Sequence, residues 1–153
     1  MSDDEDHPLF RHVRELAAVN DSIAALTDAV EAMPPGAPTL APMLSNLCYV
    51  LTLRFTRAGA PADLDAAIRI GRRALAATGG GPDDDGVAGA CWTLGLALRT
   101  RFESGGAPAD LDEAIQLDRR AAEASARNPV SPSPVNPNQD PVRPAVPSPR
   151  ATH

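Results

Sequence analysis

Apolar side chains recur at helical spacing along most of this chain. Between Pro8 and Met33, Phe10, Val13 and Ala17, then Ile23, Leu26 and Val30, fall three, four and seven residues apart. That spacing predicts a helical stretch, either one long helix or two with a kink near Asn20. Pro34-Pro35-Gly36-Ala37-Pro38 ends it, because neither Pro nor Gly extends a helix. A second stripe, Leu44, Leu47, Cys48, Leu51 and Phe55, predicts a helix over 39–57. Gly59 offers its stop, Pro61 shapes the turn, and Asp63 is the expected N-cap of the next helix. Leu64, Ala67, Ile68, Ala74 and Leu75 give that helix its inner face. After Gly79-Gly80-Gly81-Pro82 and three aspartates, Cys91, Leu94, Gly95, Leu98 and Phe102 mark a helix over 86–103. A last helix is expected over 110–127, where Asp110 and Glu113 form a D-x-x-E start close to a capping box.

The pattern is a repeat. Laid on itself at an offset of 47, the stretch from Leu47 to Leu75 shares sixteen identities with Leu94 to Ala122, including Gly59–Asp65 against Gly106–Asp112. A period of this size means one supersecondary unit copied in tandem, each copy burying its apolar face against the next. Leu47, Ile68, Leu94 and Ile115 are expected in that shared seam. Phe10 and Ile23 keep the 13-residue separation of Phe55–Ile68 and Phe102–Ile115, so the first stretch belongs to the repeat without its breaker block. The chain divides into an acidic, disordered lead (1–7) and a helical domain (8–127). That domain comprises a partial repeat (8–38) and two full ones (39–85 and 86–127). A tail (128–153) follows, in which eight of 26 residues are Pro. Such a tail buries too little apolar surface to order, and polyproline II character is expected there. Its Pro-Val-Arg-Pro fits P-x-x-P, a pattern that docks to aromatic-lined grooves.

Composition narrows the function. The net charge of −6 argues against a nucleic-acid binder, which needs a basic face. All 14 basic residues are Arg, which fits GC-rich coding and a bacterial source. The acidic start is followed by no apolar signal core, and no run of 18 apolar residues occurs. A cytoplasmic location with reduced Cys48 and Cys91 is therefore expected.

Helix, turn, helix, copied, with small residues where the helices cross, resembles the tetratricopeptide repeat (TPR). Leu94-Gly95 stands at the family's crossing point, with Leu47-Cys48 in the first copy. Ala114 and Ala121, with Ala67 and Ala74, supply the alanines of the second helix. The period exceeds the family's usual ~34 residues. Leu98-Arg99-Thr100-Arg101-Phe102 followed by Asp110-Leu111-Asp112-Glu113-Ala114-Ile115 is similar to long repeats of actinobacterial TPR proteins, some of which carry a CHAT protease domain. The resemblance implies an all-α fold, a TPR-like right-handed superhelix of antiparallel helix pairs (an alpha–alpha superhelix). Ala66→Glu113 and Gly71→Asp118, read from copy to copy, are the polar changes expected of a terminal helix.

In that family the concave surface comes from the first helix of each pair. The resemblance thereby places Ser45, Tyr49 and Thr52, and their counterparts Trp92, Leu96 and Arg99, on a partner-binding surface. Two readings stay open: a groove gripping a peptide or partner protein through Tyr49 and Trp92, with Arg99 holding a carboxylate, or aromatics that fill the seam between neighbouring helices. Tyr49 and Leu96 occupy the place of the Asn that clamps C-terminal carboxylates in one TPR class. Neither cysteine has the His partner a nucleophile needs, and Cys48 is read as a small buried hydrophobe. His7, His12 and the acidic lead show no metal spacing. Arg72-Arg73 and Arg119-Arg120 are expected to pair along their own helices with Asp65, Asp112 and Asp118. The expected function is a non-enzymatic protein–protein interaction scaffold with no cofactor, no metal, no nucleic acid and no membrane. The alternatives are an accessory or truncated relative of a CHAT protease or signalling protein that supplies substrate recognition only, and a homodimer through terminal repeat faces.

Overall fold

A computed structural model describes residues 7–79 and 85–127. These residues form five α-helices: α1 (Pro8–Ala32), α2 (Leu40–Ala58), α3 (Pro61–Ala77), α4 (Asp85–Glu103) and α5 (Pro108–Arg127). The acidic lead before His7, most of the Gly-Pro-Asp linker (80–84) and the Pro-rich tail lie outside the described residues. Helices α2 and α3 pack as an antiparallel pair, as do α4 and α5; α4 also packs on both members of the first pair, and α1 on α2. The arrangement is a solenoid-like stack of helical hairpins with no strand among the described residues.

The core is the predicted seam. Leu47, Cys48, Leu51, Ala67, Ile68, Cys91, Leu94, Ala97, Leu98 and Ala114 are buried in one cluster, against which Ile23 and Leu26 of α1 pack. A second cluster joins Val30, Leu40, Leu44, Ala74 and Ala90 at the other end of the helices. Ile115 departs from expectation. Its counterpart Ile68 is 2% exposed, whereas Ile115 is 41% exposed. Helix α4 covers Ile68, and no described helix stands at that place beside α5.

Helix α1 is one continuous helix of 25 residues, so the first stretch is one long helix and is not divided near Asn20. Where the hairpins carry Gly-Ala-Pro-Ala-Asp, α1 carries Arg14-Glu15-Leu16-Ala17-Ala18, all of which continue a helix. Its C-terminal half acts as a second helix of a hairpin and packs on α2. Phe10, Val13 and Ala17 of the predicted stripe are exposed, and Val19, which the stripe omitted, is buried.

Both second helices start earlier than expected. Pro61 and Pro108 open α3 and α5, and Ala60 is the N-cap residue of α3, with no side-chain cap bond. Proline suits this position because its missing N–H has no intrahelical acceptor there anyway. Asp63 and Asp110 are therefore first-turn residues and not caps. Each is buried and gripped by an arginine from the preceding helix. Arg101 donates from Nε to Asp110 Oδ2 at 2.8 Å and from Nη2 to Oδ1 at 2.7 Å. Arg54 makes the same two-pronged contact with Asp63, its Nε 2.9 Å from Oδ2. Each arginine then reaches one helix further back: Arg101 Nη1 donates to Asp65 Oδ1 at 3.2 Å, and Arg54 Nη1 to Asn20 Oδ1 at 3.1 Å. One side chain thus closes its own hairpin turn and ties it to the element before.

Candidate functional site

The six residues assigned to a partner surface do not share one environment. Tyr49 on α2 and Trp92 on α4 stack on the outside of the molecule, ring centroids 5.7 Å apart and tilted by 30°. They are 40% and 50% exposed, so neither fills the core. They do meet across the junction of the two first helices, which combines parts of both sequence readings. Ser45 and Thr52 are buried. Their hydroxyls donate to the carbonyls of Ala41 and Cys48 one turn back, at 2.9 Å each, so they offer no group at the surface. Helix α2 is packed by α1, α3 and α4, which leaves these two positions little access to solvent. Leu96 is half-buried. Arg99 is half-exposed, and its Nη1 donates to Asp118 Oδ2 of α5 at 2.6 Å, so its carboxylate comes from within the chain.

Arg72 and Asp65 also pair between helices. Arg72 Nη2 donates to Glu113 Oε2 at 3.0 Å, joining α3 to α5. Asp65 pairs with Arg101 of α4. For Arg72, Asp65 and Asp118 the expected pairing along one helix gives way to pairing across the stack, whereas Arg73, Arg119, Arg120 and Asp112 have no ion pair among the described residues. The polar changes Glu113 and Asp118 on α5 are ion-paired to α3 and α4, and both side chains remain partly exposed to solvent. Among the described residues, every fully buried side-chain nitrogen and oxygen has a partner.

Cys48 and Cys91 are free thiols, both buried. Burial pushes the Cys48 thiol up to about 11 and raises that of Cys91, which the charge of Arg120 partly offsets. Hydrogen bonds from Arg101 hold the Asp110 carboxyl below its ordinary range, against the opposing effect of burial. The bond to Asp63 strengthens the charge on Arg54 likewise. Among the described residues, no three His, Cys, Asp or Glu side chains converge as a metal ion would require. No described helix is long and apolar enough to cross a membrane.

Two concave features lie near these groups. One, of about 420 Å³, sits where the hairpin turns meet, between Phe55, Gly59, Pro61 and Asp65 on one side and Arg101 and Gly105 on the other. The second, of about 440 Å³, is an apolar groove between α4 and α5, lined by Ala88, Gly89, Trp92, Ala121, Ala122 and Ser125. Apart from Trp92, sequence reasoning assigned none of these groove residues. The signal was present in the 47-residue offset, which pairs each with a residue of the first hairpin. The Arg54–Asp63 and Arg101–Asp110 contacts were equally readable, since all four residues fall among the identities.

The chain matches no protein-family profile, no curated protein and no solved structure.

Proposed function

We propose that this chain is a non-enzymatic interaction module of the tetratricopeptide type, working in a bacterial cytoplasm, that binds a peptide or partner protein on the surface shared by α2 and α4. One observation carries the reading. Tyr49 and Trp92, the only Tyr and Trp of the chain, are held together on adjoining helices and both are exposed to solvent. A stacked aromatic pair on rigid helices is a pre-ordered anchor, since aromatic side chains dominate binding hot spots and lose little freedom when covered. The half-buried Leu96 and Arg99, the latter paired with Asp118 of α5, follow Trp92 on the same helix. Recognition is by surface complementarity and needs no cofactor.

The test is capture of a partner by the immobilised full chain from an extract of the source cells. Tyr49→Ala and Trp92→Ala, each with unchanged helical content, are expected to reduce capture at least tenfold. Unchanged capture by both variants contradicts the proposal.

A further inference from the structure

The two hairpins occupy different places in the stack, and the first shows what the second lacks. The groove residues Ala88, Trp92, Ala121 and Ser125 on α4 and α5 have as counterparts Ala41 and Ser45 on α2, Ala74 on α3 and Thr78 at the C-terminal cap of α3. All four counterparts are buried. Ala74 is packed in one cluster with Ala90 of α4. Ile68 is packed with Leu94 and Leu98, whereas its counterpart Ile115 is exposed. The charges follow the same rule. Asp65 receives Arg101 of α4, and its counterpart Asp112 is exposed with no ion pair among the described residues. The end face of α4 and α5 therefore continues the surface on which α4 itself sits, down to the carboxylate that receives an arginine.

We infer that this end face docks an amphipathic helix of another protein. That helix presents small and apolar side chains at four-residue spacing, as Ala90, Leu94 and Leu98 do on α4, and an arginine three residues beyond the last, as Arg101 does. Apolar complementarity supplies the affinity, and the arginine on Asp112 fixes direction and register. Among its described residues, a second copy of this chain does not offer such a helix. Its α2 lies under α1 and α4, and its α4 lies on α2 and α3. Its exposed α1 segment has Leu9, Val13 and Ala17 at the right spacing but Asn20 where the arginine is required. The end face is separate from Tyr49, so this inference goes beyond the aromatic surface, with Trp92 bordering both.

The probe is a fluorescent peptide of residues 85–103 of this chain with Cys91→Ala, titrated with the full chain and read by anisotropy. Saturable binding is expected. Ala122→Glu places a charge in the groove from an exposed helical position, and is expected to weaken binding at least tenfold with helical content unchanged. Asp112→Asn in the chain and Arg101→Ala in the peptide are each expected to weaken binding about threefold, with no further loss when combined. Tyr49→Ala is expected to leave this binding unchanged, which separates it from the capture experiment above. Absence of saturable binding, or binding indifferent to Ala122→Glu, overturns the inference. So does sedimentation of the full chain alone as a dimer that Ala122→Glu dissolves, since the face would then belong to a second copy.

Discussion

Tyr49 and Trp92 face each other from the first helices of two successive hairpins, their ring centres 5.7 Å apart, and both remain about half exposed. Such a pair contributes little to folding. Tyr49→Ala or Trp92→Ala is expected to lower unfolding free energy by about 1–2 kcal/mol in urea, against roughly 3–5 kcal/mol for a fully buried aromatic. A loss in the larger range would make the pair a core element and remove its role as a surface anchor.

The helix crossing is filled differently in the two hairpins. In the first, Cys48 faces Gly71, and a Cβ on Gly71 would lie 3.1 Å from Cys48 Sγ and 3.0 Å from Leu94 Cδ1. In the second, the small residue has moved to the other helix, with Gly95 facing Asp118. Gly71→Ala is expected to destabilise by about 1 kcal/mol, overpacking outweighing the gain in helix propensity. Cys48→Ala in the same chain is expected to recover at least ~0.5 kcal/mol of that loss. Strict additivity in thermal unfolding would mean that the two side chains do not share the space.

Arg101 and Asp110 make stability depend on acid. The carboxyl's folded value lies below its ordinary range, so protons bind the unfolded chain more readily. The resulting stabilisation is complete above the unfolded value near 4 and is lost as pH falls through the lower folded value. Asp110→Asn is expected to cost about 1–3 kcal/mol at pH 7, and its deficit against the parent chain should shrink below pH ~4. A deficit constant across that range contradicts the assignment.

The thiols should be inert in the native state. Cys48 has its thiol raised to about 11, and both cysteines are buried. Mass spectrometry after iodoacetamide at pH 8 is expected to show no label on folded protein and two labels in urea. Rapid native labelling of Cys48 would show that the seam opens.

Much of this fold was legible because the sequence states it twice. Leu47, Ile68 and Leu94 fall in the seam that the 47-residue offset predicts. Periodicity alone did not reveal which faces the described helices leave uncovered. Ile115 carries the same apolar pattern as Ile68, but no described helix stands beside it. Asp63 and Asp110 read as caps because carboxylates beside helix starts usually cap, yet a proline two residues earlier moved each helix start and left the carboxylate to an arginine. Ser45 and Thr52 followed a family surface, and here both are buried in the packed helix α2. Tyr49 and Trp92 could be placed on adjoining helices from sequence, but their exposure depends on the angle at which those helices pack.

Native-state hydrogen exchange tests the open-ended stack most directly, because protection follows local cover. Amides of α2, α3 and α4 are expected to exchange slowest, through global unfolding. Those of the first turns of α1 and the last turns of α5 should exchange at least tenfold faster. Protection of both terminal segments equal to that of α4 would show those faces to be covered, and would contradict the account.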